Sequence, residues 1–330
     1  MDSSNHSPPL ESPHAKADSD LDNRSGAYFP RRYLTEFFDL ISELDSQIQV
    51  ITYTDFSWRE TDDFAAGYPG EWQEWQRELK DGTRDPEKSY VVVQYDVDSR
   101  PERTLGLLHE PSHESVPANI MIFNKRVDRR HLKNTGELRF TEYPLDDRFL
   151  RRLESKNFVI GYHTNAYEQS QFATDIALKL FDRDVKELME RFNIQFFSAH
   201  GGVAGPDGKN NNALPFHPNW TMRLKWVHNG CSPKFDGQFS DGGHNSPKRN
   251  PKGRDLREFV RKFQPGKRYR ILLHPQYYDV EYRRSPRYAG TRWYDEMLEC
   301  CEKGKSLWDG VREREQRKNW FSLQRWIARS

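Results

Sequence analysis

The stretch SYVVVQYDVD, residues 89–98, decides how the chain is read. A short β-branched apolar run closing on two acids, Asp96 and Asp98, reads as a strand. The next segment, PERTLGLLHE (101–110), opens with proline and continues at helical spacing, which fits a helix with Pro in its first turn. Strand followed by helix then becomes a rhythm. ANIMIFN (118–124), NFVIGYH (157–163), IQFFSAH (194–200) and RYRILLH (268–274) read as strands. Between them, 144–156, 170–192 and 254–263 carry the apolar spacing of helices. Strands alternating with helices imply βαβ units and a mostly parallel sheet or barrel, so the chain is α/β.

Upstream, YLTEFFDLISEL (33–44) is helical in spacing, and QVITYTDF (49–56) alternates as a strand would. Residues 57–88, polar apart from Trp58, Trp72 and Trp75, read as an irregular excursion. The stretch 201–253 is a long polar insertion in which 222–230 and 237–241 offer two short strands. Residues 1–27, rich in Ser, Pro, Asp and His, read as a disordered tail, leaving one domain over 28–290 and a helical extension over 291–330.

Composition narrows the function classes. The 330 residues carry 51 Lys and Arg against 50 Asp and Glu, which argues against a specific nucleic-acid binder. The apolar fraction is 35%, but 13% aromatic residues favour a packed core or an aromatic-lined cleft. No apolar run approaches the roughly 18 residues of a membrane span. The first twenty residues lack the basic start and apolar core of a signal peptide, so a cytoplasmic location is expected. Three cysteines (Cys231, Cys300, Cys301), two of them adjacent, cannot build a disulfide framework and fit a reducing compartment.

The chemistry sits at the strand ends. One strand ends in Asp96-Val97-Asp98; others run into His163, His200 and His274. Parallel α/β folds assemble their sites at the carboxyl ends of strands, so these four ends would converge. Taken singly, Asp98 has a second explanation as a cap for the helix that follows, and a strand-end His is an ordinary surface residue. Four coincidences favour a joint site. Asn124 and Asp241 reach the same end, and Tyr95, Tyr162, Tyr167, Tyr277 and Tyr278 suit the faces of sugar rings or ordinary rim packing.

The ordered strings YDVDSRPERTLGLLHE, PANIMIF, FVIGYHTN, FSAHGG with GKNNNA, and ILLHPQYY resemble the polysaccharide deacetylase superfamily, carbohydrate esterase family 4. They look most like the deacetylase-like proteins of bacterial surface-polysaccharide gene clusters. The resemblance spans residues 88–280. It implies a distorted (β/α) barrel and a divalent metal, commonly zinc. It implies Asp96 as general base, Asp98 and His163 as metal ligands, and His274 as the group that protonates the leaving amine or alcohol. Two departures stand out. Val97 separates acids that the family writes side by side, and Tyr167 occupies the place of the family's second histidine ligand. His200 is the candidate for the missing ligand. The expected activity is removal of an acyl group from an N- or O-acylated carbohydrate, with Asn124, Tyr162, Tyr167, Asp241 and Tyr277 expected to touch substrate. Two other readings are a non-catalytic carbohydrate-binding protein of the same fold, and a hydrolase of another non-peptide C–N bond.

Overall fold

A computed structural model describes residues 27–59, 68–201, 205, 208, 210–213, 224–227, 233–241, 255–285 and 288–313. Of the tail expected over 1–27, residues 1–26 lie outside the described residues, as do Cys231 and the chain beyond 313.

A short strand β1 (Phe29–Pro30) precedes β2 (Ile48–Ile51) and β3 (Ser89–Val97). β4 (Asn119–Ile122) is followed by a hairpin of β5 (Arg126–Val127) and β6 (Phe140–Thr141). Then come β7 (Val159–Thr164), β8 (Phe196–Ala199), β9 (Lys225–Trp226), β10 (Gly237–Ser240), β11 (Arg268–Leu273) and β12 (Tyr278–Asp279). The main sheet has eight strands in the order β10-β11-β3-β4-β7-β8-β9, with β2 also on β3. Every pairing in it is parallel. One flank of β3 is shared: Ser89–Val92 pairs with β2, and Gln94–Val97 pairs with β4. Among the described residues β9 and β10 do not pair with each other, so the sheet is an α/β barrel left open rather than a closed ring.

Side-chain parity divides the interior in two, because successive strand residues face opposite sides. Val91, Val93, Tyr95 and Val97 of β3, with Ile160 and Tyr162 of β7 and Ile271 and Leu273 of β11, join the core under the helices. Tyr90 and Val92, with Met121, Val159 and Phe196, form a second core inside the curve of the sheet. The histidines and acids at the strand ends share the parity of that inner face. Gly161 keeps β7 close to β4: a Cβ there would stand 2.4 Å from Met121 Sδ.

The helix Arg32–Glu43 forms as its spacing predicts and buries Tyr33, Leu34, Phe37, Phe38, Leu40 and Ile41 on one face. Each such side chain contributes about 1.5–3 kcal/mol when fully buried. Trp308, near the described C-terminus, stacks on Tyr33 and donates from Nε1 to the Tyr33 carbonyl.

Three expectations need correction. The strand expected to reach residue 56 stops at Ile51, where the Thr52–Asp55 capping box starts a 3₁₀ turn. The excursion over 57–88 contains a helix, Pro69–Asp81, begun by Pro at its first position and ended by Gly82 with φ 79°. Its Glu71 makes a fully buried bidentate pair with Arg268 at 2.6 and 2.7 Å. The Arg268 guanidinium also lies over Phe56, Trp72 and Trp75. The helix expected over 170–192 runs only over Thr174–Met189; a separate turn, Ala166–Gln169, precedes it, parted from it by Gln171 and Phe172 at positive φ.

Candidate metal centre

Asp96 and Asp98 are two residues apart at the end of β3, so both face the inner side and Val97 faces the helices. The separation by one residue is therefore compatible with a shared site. Capping does not explain Asp98: the next helix, Pro101–Leu108, has Arg100 at its N-cap and no side-chain cap. Instead Asp98 Oδ1 lies 3.1 Å from His163 Nε2 and 3.7 Å from His200 Nε2, and Oδ2 lies 3.6 Å from His274 Nε2. Asp96 Oδ2 is 3.8 Å from His163 Nε2. Residues from β3, β7, β8 and β11 meet at one point.

Each histidine is oriented from its far side. His163 Nδ1 is 2.7 Å from Ser198 Oγ. His200 Nδ1 faces Glu168 Oε1 at 3.4 Å, while Arg129 Nη1 points at its Nε2 from 3.4 Å. His274 Nδ1 bonds Asp241 Oδ1 at 2.5 Å, and its backbone N–H donates to Asp241 Oδ2. Asp241 assigns the Nδ1 proton of His274 and turns its Nε2 toward Asp98. Asp96 Oδ1 accepts from Gln94 Nε2 at 2.7 Å, and Gln94 Oε1 accepts from the Tyr53 hydroxyl at 2.6 Å. The Asp98 carbonyl accepts from Arg126 Nε, and the Val97 carbonyl from the Tyr143 hydroxyl.

Electrostatics follow from this crowding. Burial disfavours charge on Asp98, yet the imidazoles of His200, His274 and His163 outweigh it and hold its carboxyl far below the usual range. Burial would likewise depress His274, but Asp241 and Asp98 overcome it and raise the imidazole to about 10. His163 is also raised: Asp96 and Asp98 outweigh its burial.

Asp98, His163 and His200 each offer one ligand atom, all within 4.8 Å of one another. The buried Asp98 Oδ1 has no well-formed hydrogen bond of its own. Two imidazoles and a carboxylate, with His163 Nδ1 held by Ser198 Oγ, form a donor set suited to a divalent cation such as zinc. The residues fit the metal that the sequence resemblance implies.

Other expected contacts fall elsewhere. Tyr162 has the outward parity of β7, is fully buried, and gives its hydroxyl to Asp184 on the helix Thr174–Met189. Asn124 also faces that helix, donating to Asp184 and Glu187. Tyr167 is buried with its ring on Phe172 and its hydroxyl 3.3 Å from Thr174 Oγ1. Asp241 has no exposed surface and serves His274. Tyr162, Tyr167 and Asp241 are thus buried, and Asn124 is half-buried. Tyr95 and Tyr278 are also buried, whereas Tyr277, half-buried, has its ring 5.4 Å from His274. Glu168 escaped sequence reading. It follows Tyr167 in a helical turn, and Asn211 ties that turn to β8 by accepting from the Tyr167 N–H and donating to the His200 carbonyl.

No family model matches the chain, and no curated protein matches it. Among solved structures it is similar to a mutant of the peptidoglycan deacetylase PdaC from Bacillus subtilis, at 14% identity and a TM-score of 0.32, over 73% of this chain and 98% of that one. It is also similar to a family 4 carbohydrate esterase from Bacillus anthracis, at 13% identity and a TM-score of 0.28, over 70% of this chain and 87% of that one. A third likeness, at 14% identity and a TM-score of 0.27 over 67% and 65% of the two chains, is to a mutant family 4 pseudoenzyme with restored enzymatic activity.

Proposed function

We propose that the chain is a metal-dependent hydrolase that removes an acyl group from an N- or O-acylated carbohydrate of surface-polysaccharide metabolism. The carrying observation is the convergence of Asp98, His163 and His200 on one point, with a separate acid and base beside it. The substrate class rests on the sequence resemblance. Asp98, His163 and His200 would hold the cation, zinc by its donor set. A cation there supplies Lewis acidity toward water and the acyl carbonyl. Asp96, with Oδ1 engaged by Gln94, presents Oδ2 as the proton acceptor. His274, kept protonated at neutral pH by Asp241 and Asp98, donates from Nε2 to the departing amine or alcohol.

Tyr167 in place of a second ligating histidine motivates the other reading, a carbohydrate-binding protein without turnover. Metal analysis together with acetate release from N-acetylglucosamine oligomers separates the two. Near-stoichiometric metal that disappears in His163→Ala, with acetate release abolished by chelation, is the expected result. Bound glycan with no metal in either protein supports the binding reading, and unchanged release after complete chelation overturns the mechanism.

A further inference from the structure

The apolar run of β3 is broken by Gln94, a polar side chain only 2% exposed. It stands two residues before Asp96 and four before Asp98, so all three share the inner face. That face therefore carries two acids of the same kind. Asp98 Oδ1 is 3.1 Å and Asp96 Oδ2 is 3.8 Å from one atom, His163 Nε2. Residue type does not tell the two apart, yet only Asp98 belongs to the trio whose donor atoms lie within 4.8 Å of one another. The difference lies in what holds each carboxylate. Asp98 Oδ1 has no well-formed hydrogen bond, whereas Asp96 Oδ1 accepts from Gln94 Nε2 at 2.7 Å.

The Gln94 amide is itself fixed. A carboxylate only accepts, so the amide turns its NH2 group to Asp96 and its oxygen away. That oxygen accepts from the Tyr53 hydroxyl at 2.6 Å. Burial raises Tyr53 to about 12, so the hydroxyl keeps its proton and remains a donor at neutral pH. The turn that carries Tyr53 is fastened to the sheet. The Tyr53 backbone N–H donates to Asn119 Oδ1 at 3.0 Å, and Asn119 Nδ2 donates to the Val93 carbonyl at 2.9 Å. Every bond in this chain is buried, where hydrogen bonds are electrostatically stronger than in water. The two oxygens of a carboxylate turn together, so holding Oδ1 of Asp96 also holds Oδ2.

We propose that Gln94, backed by Tyr53, is a positioning residue that keeps Asp96 out of the metal's ligand set and so reserves it as the proton acceptor. The acceptor role rests on the hydrolase reading; the exclusion from the ligand set is tested on metal binding alone.

Cobalt(II) loaded into the metal-stripped protein reports ligand number, because its visible absorption weakens as ligands are added. The wild type and Asp96→Asn are expected to give the same spectrum. In Gln94→Met the carboxylate is released. The bands should weaken, cobalt should bind several-fold more tightly, and both changes should vanish when Asp96→Asn is added. Tyr53→Phe keeps the ring and removes the hydroxyl; it should shift the spectrum the same way by less, and it carries the test if Gln94→Met does not fold. In acetate release both variants should lose kcat, Gln94→Met by about 10-fold or more, with little change in KM. A spectrum unchanged in both Gln94→Met and Tyr53→Phe overturns the proposal, as does a change that persists once Asp96→Asn is added. Acetate release by the wild type without the Asp96-dependent change refutes the positioning role alone; the change without acetate release refutes the hydrolase reading alone. A wild type that binds no cobalt overturns both.

Discussion

Asp241 holds His274 at two points, through the imidazole Nδ1 and through the backbone N–H, using one carboxylate oxygen for each. The ring is thus fixed in tautomer and in direction, with Nε2 toward Asp98. Asp241→Asn removes the first of the charges that raise the imidazole, the others being Asp98 and Asp96. His274 sits at about 10 against an ordinary 6.5, so as a proton donor it works below about 10 and fails above it. In Asp241→Asn the alkaline fall in kcat is expected to move down toward 6.5. The rate at pH 8 should drop about 10- to 100-fold, within the range that general acids contribute. A variant whose rate falls with no movement of the alkaline limb would show that Asp241 only supports the fold.

Glu168 Oε1 lies 3.4 Å from His200 Nδ1. Carboxylates behind ligating histidines typically contribute 10- to 100-fold in metal affinity. Glu168→Gln is expected to weaken metal binding by about that factor while leaving the stoichiometry at saturation unchanged. Competition with a fluorescent chelator measures it, and an unaltered dissociation constant counts against the role.

His113 is buried between Phe38 and the Tyr95 hydroxyl. Burial, helped by the nearby Arg31 charge, lowers its value to about 3 from 6.5. Below pH 6.5 the unfolded chain takes a proton that the native chain refuses, so stability falls as pH drops from 6.5 toward 3. The slope from this one residue approaches about 1.4 kcal/mol per pH unit. Chemical denaturation at a series of pH values should give a flatter profile for His113→Leu, whatever its stability at pH 7. An identical slope in both proteins would falsify the assignment.

The Glu71–Arg268 pair joins the helix Pro69–Asp81 to β11 across the inner core. Glu71→Gln leaves a buried guanidinium charge without its counter-ion, a loss of about 3–5 kcal/mol for breaking such a pair. The urea midpoint should fall accordingly. The double change Glu71→Leu with Arg268→Met should recover much of it, since similar apolar volume often replaces a buried ion pair at little cost. Failure of the pair of changes to recover stability would show that the arginine does more than answer Glu71.

The sheet and its strand ends were readable because they obey local rules. Val91–Val93, Ile120–Ile122 and Ile271–Leu273 are apolar runs, and parity alone sends Asp96, Asp98, His163 and His274 to one face. Parity also had the information that Tyr162 faces away, since it neighbours His163. The helix Pro69–Asp81 was hidden because its apolar face is made of Trp72 and Trp75 in a charged sequence, although Pro69 and Gly82 marked both ends. Glu168 and Arg129 left no trace in spacing. They meet His200 only after the turn at Ala166–Gln169 and the hairpin beyond β4 fold back over the strand ends. Long-range contacts of that kind have no period to detect.

The aromatic box around Arg268 has a consequence for traffic. Glu71, Trp75, Tyr90 and Arg268 are sealed from solvent, and they fill the end of the barrel opposite the histidines. Among the described residues packed side chains close that end, so a polymer bound by the proposed hydrolase would approach from the carboxyl ends of the strands rather than thread past Arg268.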